Sequence, residues 1–203
     1  MFYLKLTDNR GKELPSYNHE GKRWYEVRPG QEFRVEIEPR GYGWARREYV
    51  VSVDGVDVIS GKKASQHNRG LIAPLDVVVK GWRTSMNNVM AFVATYSKLS
   101  YAYKSGLGGN EGVVAVAVWS EKEDDKQEVV YRGMTRSMSA GTDAGRDLND
   151  NVGITTFERD KLIFSDSVRY AFRDELVERG ILLGDVPDGP PNPWPADGFC
   201  KRR

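Results

Sequence analysis

Cysteine is nearly absent: Cys200 is the only one among 203 residues. A lone cysteine cannot close a disulfide within the chain, so the fold needs no oxidising compartment. Histidine is almost as scarce. His19 and His67 lie in separate polar stretches and, with Cys200, show none of the close spacing of a zinc site. No cofactor is expected. Neither charge sign dominates: 30 Lys and Arg face 29 Asp and Glu, for a formal net charge of +1. No global field therefore draws the chain to nucleic acid or anionic lipid. Long apolar runs are missing as well. The longest, 112–119 (GVVAVAVW), is too short to span a bilayer as a helix. The N-terminal MFYLKLTDNRGKELPSY lacks a basic, apolar and cleavable succession. The expectation is a cytoplasmic or virion protein with no signal peptide, transmembrane segment or membrane partner.

What the chain does contain is aromatics and glycine: ten Tyr, seven Phe, five Trp and 21 Gly. That mixture favours short strands joined by tight turns. Phe33, Val35 and Ile37 alternate with Glu32, Arg34, Glu36 and Glu38, the period of a half-exposed strand. Glu48 to Val53 reads as another strand, closed by the hairpin pair Asp54-Gly55, with Val56 to Ile59 pairing back. Val89 to Tyr96 fits either helix or strand by pattern, and its β-branched and aromatic content favours strand. Val113 to Trp119 reads as a buried central strand, and Gly153 to Arg159 as a short one. One amphipathic helix is expected at about 167–179. Ser165, Asp166 and Ser167 supply capping chemistry, Val168, Phe172 and Leu176 recur every four residues, and Gly180 ends the pattern. From Pro187 on, five prolines in nine residues forbid regular structure. The expected architecture is mainly β: one β-sandwich or jelly-roll-like domain over 1–186, a C-terminal helix covering it, and an extended Pro-rich tail over 187–203.

Familiar catalytic motifs fail on inspection. Residues 55–62 (GVDVISGK) miss the phosphate-loop spacing by one residue, and Lys63 stands where a hydroxyl would be required. The glycines of 106–112 place Glu111 where a dinucleotide fold needs glycine. No serine sits in a nucleophile elbow. Asp143, Asp147 and Asp150 with Asn149 and Asn151 are the candidate cation ligands, although the regular calcium-loop order is missing and a solvated loop with Asx-turns fits better. Glu121, Glu123, Asp124 and Asp125 form a second acidic run, most simply a solvated hairpin tip. The densest basic–aromatic stretch is 40–47, RGYGWARR. Arg40, Tyr42, Trp44, Arg46 and Arg47 are there in position to grip single-stranded nucleic acid, glycan or an acidic protein surface. Trp82, Arg83 and the tail residue Trp194 are further binding candidates.

The strings VSVDGVDVISGKKAS, GWRTS, VMAFVATYSKLSYA and GVVAVAVWSE, followed by AGTDAGRD, TTFERD and VRYAFRDELVERGI, resemble an uncharacterised bacterial and phage protein family. The resemblance covers about Glu48 to Leu182. It implies one continuous module and carries over no activity and no catalytic residue. With catalytic motifs missing and a tail unable to fold alone, the expected function is a non-enzymatic binding or assembly module, such as a virion subunit, with a protein partner or self-assembly. The alternatives are a hydrolase using loop carboxylates on a glycan or phosphate ester, and single-strand binding through 40–47.

Overall fold

The structure is a computed structural model that describes residues 1–122 and 147–183. In chain order its strands are β1 (Phe2–Thr7), β2 (Ser16–His19), β3 (Lys22–Val27), β4 (Glu32–Pro39), β5 (Arg47–Val53), β6 (Val56–Asp57), β7 (Leu71–Ala73), β8 (Val77–Val79), β9 (Gly81–Arg83), β10 (Asn88–Val93), β11 (Val113–Glu121), β12 (Asp147–Asn149) and β13 (Arg159–Phe172). A single 3-10 turn (Ser97–Leu99) leads into α1 (Tyr101–Lys104), and α2 (Arg173–Glu178) follows β13. Two sheets form. One runs β1-β4-β10-β12, with β8 on β4 and β9 on β10. The other runs β2-β3-β13-β11-β5-β6, with β7 on β5. The mainly β, sandwich-like architecture read from the sequence is the one observed.

Alternation explains why the sheets pack. Leu4 and Leu6 of β1, Val35 and Ile37 of β4, Val51 and Val53 of β5, and Val114, Val116 and Val118 of β11 all turn into one core. Their neighbours Lys5, Glu36 and Glu38 face outward and pair with each other across β1 and β4. Burying a core side chain of this size contributes about 1.5–3 kcal/mol. β11 lies between β13 and β5, as its apolar run implies. Val89 to Val93 is strand. Asp54-Gly55 closes the β5–β6 hairpin, with positive φ at both residues (54° and 78°), as a twisted two-residue turn requires.

The C-terminal helix is shorter than the expected 167–179. It occupies only Arg173–Glu178, and Ser165 to Phe172 belong to β13. The reason is periodic ambiguity. The four-residue step from Val168 to Phe172 is also two strand periods. Val168, Tyr170 and Phe172 all reach the main core, whereas Ala171 points the other way, to Trp24 and Leu176. Backbone pairing of Ser165–Val168 with Val114–Ala117 then decides for strand. The expected strand over 153–159 is likewise corrected: residues 151–158 are irregular and pairing begins at Arg159. The 3-10 turn and α1 had no expected counterpart. Residues 123–146 and 184–203 carry the acidic run 123–125, Asp143, Trp194, Cys200 and the Pro-rich tail, all of which lie outside the described residues.

Close sheet packing leaves Gly81 no room for a side chain. A methyl group on Gly81 would overlap the Met90 carbonyl oxygen and the Ala91 Cα across the β9–β10 pair. Gly81→Ala is therefore expected to cost about 3 kcal/mol, read as a lower urea midpoint with an unchanged slope.

Candidate functional site

The candidate residues at 40–47 gather at one end of β5, and most are spent on internal contacts. The Arg47 guanidinium is buried and donates to the carbonyls of Gly43, Ala45 and Pro74. Arg46 donates to the Thr156 carbonyl at 2.6 Å and pairs with Glu121 at 2.8 Å. Arg40 pairs with Glu38 and lies over the Tyr3 ring. Tyr42 packs on Phe2, and Trp44 stays 62% exposed. The guanidinium donors that would meet a phosphate backbone thus already hold a loop in shape.

Trp82 is a core residue, edge-on to Phe92 and tilted against Tyr101, so it is not the surface binding residue the sequence suggested. Arg83 and Lys80 both clamp Asp150, at 2.5 and 2.7 Å. That carboxylate is neutralised by two cations, and Asp147 stands exposed on β12. Among the described residues no three His, Cys, Asp or Glu groups converge as metal ligands. Glu121 and Asp150, one from each acidic loop, are each taken by a different arginine.

Chemistry concentrates instead at the other end of β5. The hairpin places Asp54 in the left-handed region and turns its carboxyl inward, where the residue is 7% exposed. Its Oδ1 accepts the Tyr170 hydroxyl at 2.7 Å and the Gly112 N–H at 2.8 Å, and its own N–H donates to the Val113 carbonyl. Gly112 is required here. It has φ +75°, and a Cβ would come within 2.8 Å of the Tyr170 carbonyl. Burial pushes the Asp54 carboxyl up to about 6 against the opposing pull of the Tyr170 and Gly112 hydrogen bonds. Burial and the adjoining Asp54 carboxylate hold the Tyr170 phenol well above its usual range.

Asp54 and Tyr170 form the floor of a cleft of about 480 Å³, within the range of small-ligand sites. One wall comes from β13 and α2: Arg169, Phe172, Glu175 and Arg179. The other is the segment after β10, with Thr95, Tyr96, Lys98 and Ser100, and Glu111 also lines the cleft. The parallel pairing of β13 with β3 sets Arg169 beside Trp24. Arg169 and Arg179 both lie on the Trp24 ring, at 5.3 and 5.2 Å. Tyr96 stands edge-on to Phe172 and remains 60% exposed.

No family model, curated protein or solved structure matches this chain.

The cleft therefore rests on its own geometry. Sequence reasoning missed Asp54, Lys98, Glu111, Arg169 and Tyr170. Asp54 was legible only as a turn residue, and Arg169 and Tyr170 fell within the expected helix. The usable signal was Asp54 itself: a carboxylate at a hairpin tip flanked by apolar strands has to be either solvated or bonded by another segment.

Proposed function

We propose that the chain is a non-enzymatic binding module and that it holds its ligand in the cleft between β13–α2 and residues 95–100. The observation that carries this reading is the state of the cleft's carboxylates. Each already has an internal partner: Asp54 has Tyr170 and Gly112, Glu111 accepts the Gly109 N–H, and Glu175 pairs with Arg179. Carboxylates so engaged serve as fixed walls and not as a mobile acid and base. Aromatic and cationic side chains then supply the contact surface. No helix among the described residues is long and apolar enough to cross a membrane. Docking onto a larger particle through 187–203 remains part of the proposal, and it concerns residues outside those described.

A hydrolase is the second reading, favoured by one observation. Asp54 has a carboxyl raised to about 6 inside a cleft, with Glu111 nearby, a placement that suits a general acid. The two readings separate on turnover. Chromogenic glycosides and phosphate esters should show no turnover by the full chain at pH 6. Turnover abolished by Asp54→Asn would replace the binding reading with the hydrolase.

A further inference from the structure

Resting on the binding reading, we propose that the cleft takes an acidic sugar, a sugar ring bearing one carboxylate or phosphate. Charged groups in the cleft differ in whether they already have a partner. The acids do not, as described above. Of the cations, Arg179 is paired with Glu175. Lys98 and Arg169 make no hydrogen bond or ion pair among the described residues, and Arg169 lies over the Trp24 ring at 5.3 Å. With no hydrogen-bond partner among the described residues, the planar N–H fork of this guanidinium is free for an oxyanion. Lys98, from the segment after β10, lines the same cleft and adds a second positive charge. The site's unmet need is thus negative charge between the two walls.

The remaining lining selects the body of the ligand. Tyr96, exposed and braced by Phe172, offers a ring face to an apolar surface. Thr95, Ser97 and Ser100 contribute hydroxyls, while Asp54 and Glu111 contribute carboxylates that accept hydrogen bonds. A flat aromatic acid would leave these acceptors and hydroxyls unmatched beneath it, at a desolvation cost. A sugar has a C–H face for Tyr96 and hydroxyls at its edge for the polar groups. Its oxyanion meets Arg169 and Lys98.

Calorimetric titration of the full chain with glucuronate, glucose 6-phosphate, glucose and inorganic phosphate tests this. At least one acidic sugar should bind about tenfold or more tightly than glucose, and the better of the two names the oxyanion. Lys98→Ala, at an exposed position, and Arg169→Gln should each weaken that binding severalfold with an unchanged circular dichroism spectrum. Glucose binding as tightly as its acids overturns the assignment and leaves the binding reading standing. Inorganic phosphate binding as tightly as glucose 6-phosphate overturns it too, because the cleft then holds an adventitious ion only. So does the lack of binding by any of the four. The binding reading itself is decided separately, by the turnover assay at pH 6.

Discussion

Glu48→Ala is expected to cost about 3–5 kcal/mol of folding stability, the penalty for stranding one member of a buried ion pair. Glu48 is 1% exposed and lies opposite Trp119 in the β5–β11 pair. Its Oε2 accepts Arg159 Nε at 2.6 Å, and its Oε1 accepts the Gly70 N–H at 2.7 Å. Arg159 also donates to the carbonyls of His67 and Asn68, and it lies over Trp119 at 4.9 Å. The Trp119 indole N–H donates to the Gln66 carbonyl. One carboxylate thereby ties residues 66–70 to the centre of the seven-stranded sheet. Truncation leaves the Arg159 charge and the Gly70 N–H without their acceptor. Glu48→Gln keeps the Gly70 bond and should cost less. Urea unfolding of the three proteins checks the order; a loss under 1 kcal/mol for Glu48→Ala would mean that the network contributes little.

The second large effect is a pH dependence with a defined sign. Asp54 has a folded-state pKa of about 6, against about 3.9 for an unperturbed aspartate in the unfolded chain. Between those values the folded state keeps a proton that the unfolded state has released. Stability contributed by this group therefore falls as pH rises from about 4 to about 6, by about 3 kcal/mol, and is level above that. Asp54→Asn should abolish the slope. Its Oδ1 can accept both the Tyr170 and Gly112 donors, and Asn tolerates the positive φ. At pH 7 the variant should be at least as stable as the parent, whereas Asp54→Ala should be less stable, having lost both bonds. The difference in stability between parent and Asp54→Asn, measured from pH 4 to 7, isolates this term from the other carboxylates. A parallel pair of curves would place the Asp54 carboxyl in an ordinary aspartate environment.

Strand content was legible because burial imposes a period of two on each segment separately. Phe33, Val35 and Ile37 declare an inward face without reference to any other strand, and Asp54-Gly55 declares a turn from local backbone preference. The extent of the helix was not legible from a spacing that both periods share. Only the pairing of Ser165–Val168 with β11 distinguishes them, and that pairing depends on residues some 50 positions earlier in the chain. The cleft was hidden for the same reason. Trp24, Asp54, Lys98, Glu111 and Arg169 come from five separate segments, and the bond that organises them, Tyr170 to Asp54, joins residues 116 positions apart. Local composition pointed to 40–47 because its arginines and aromatics are neighbours in sequence. Folding turned those arginines onto carbonyls and carboxylates of their own domain.

The most direct measurement is a residue-by-residue map of amide shifts in the full chain as the tightest-binding acidic sugar is added. Changes centred on Thr95–Ser100, Gly112 and Arg169–Phe172, saturating with the calorimetric affinity, are the predicted result. Saturating changes confined to the 40–47 end of β5, with the Asp54 end silent, would contradict the account.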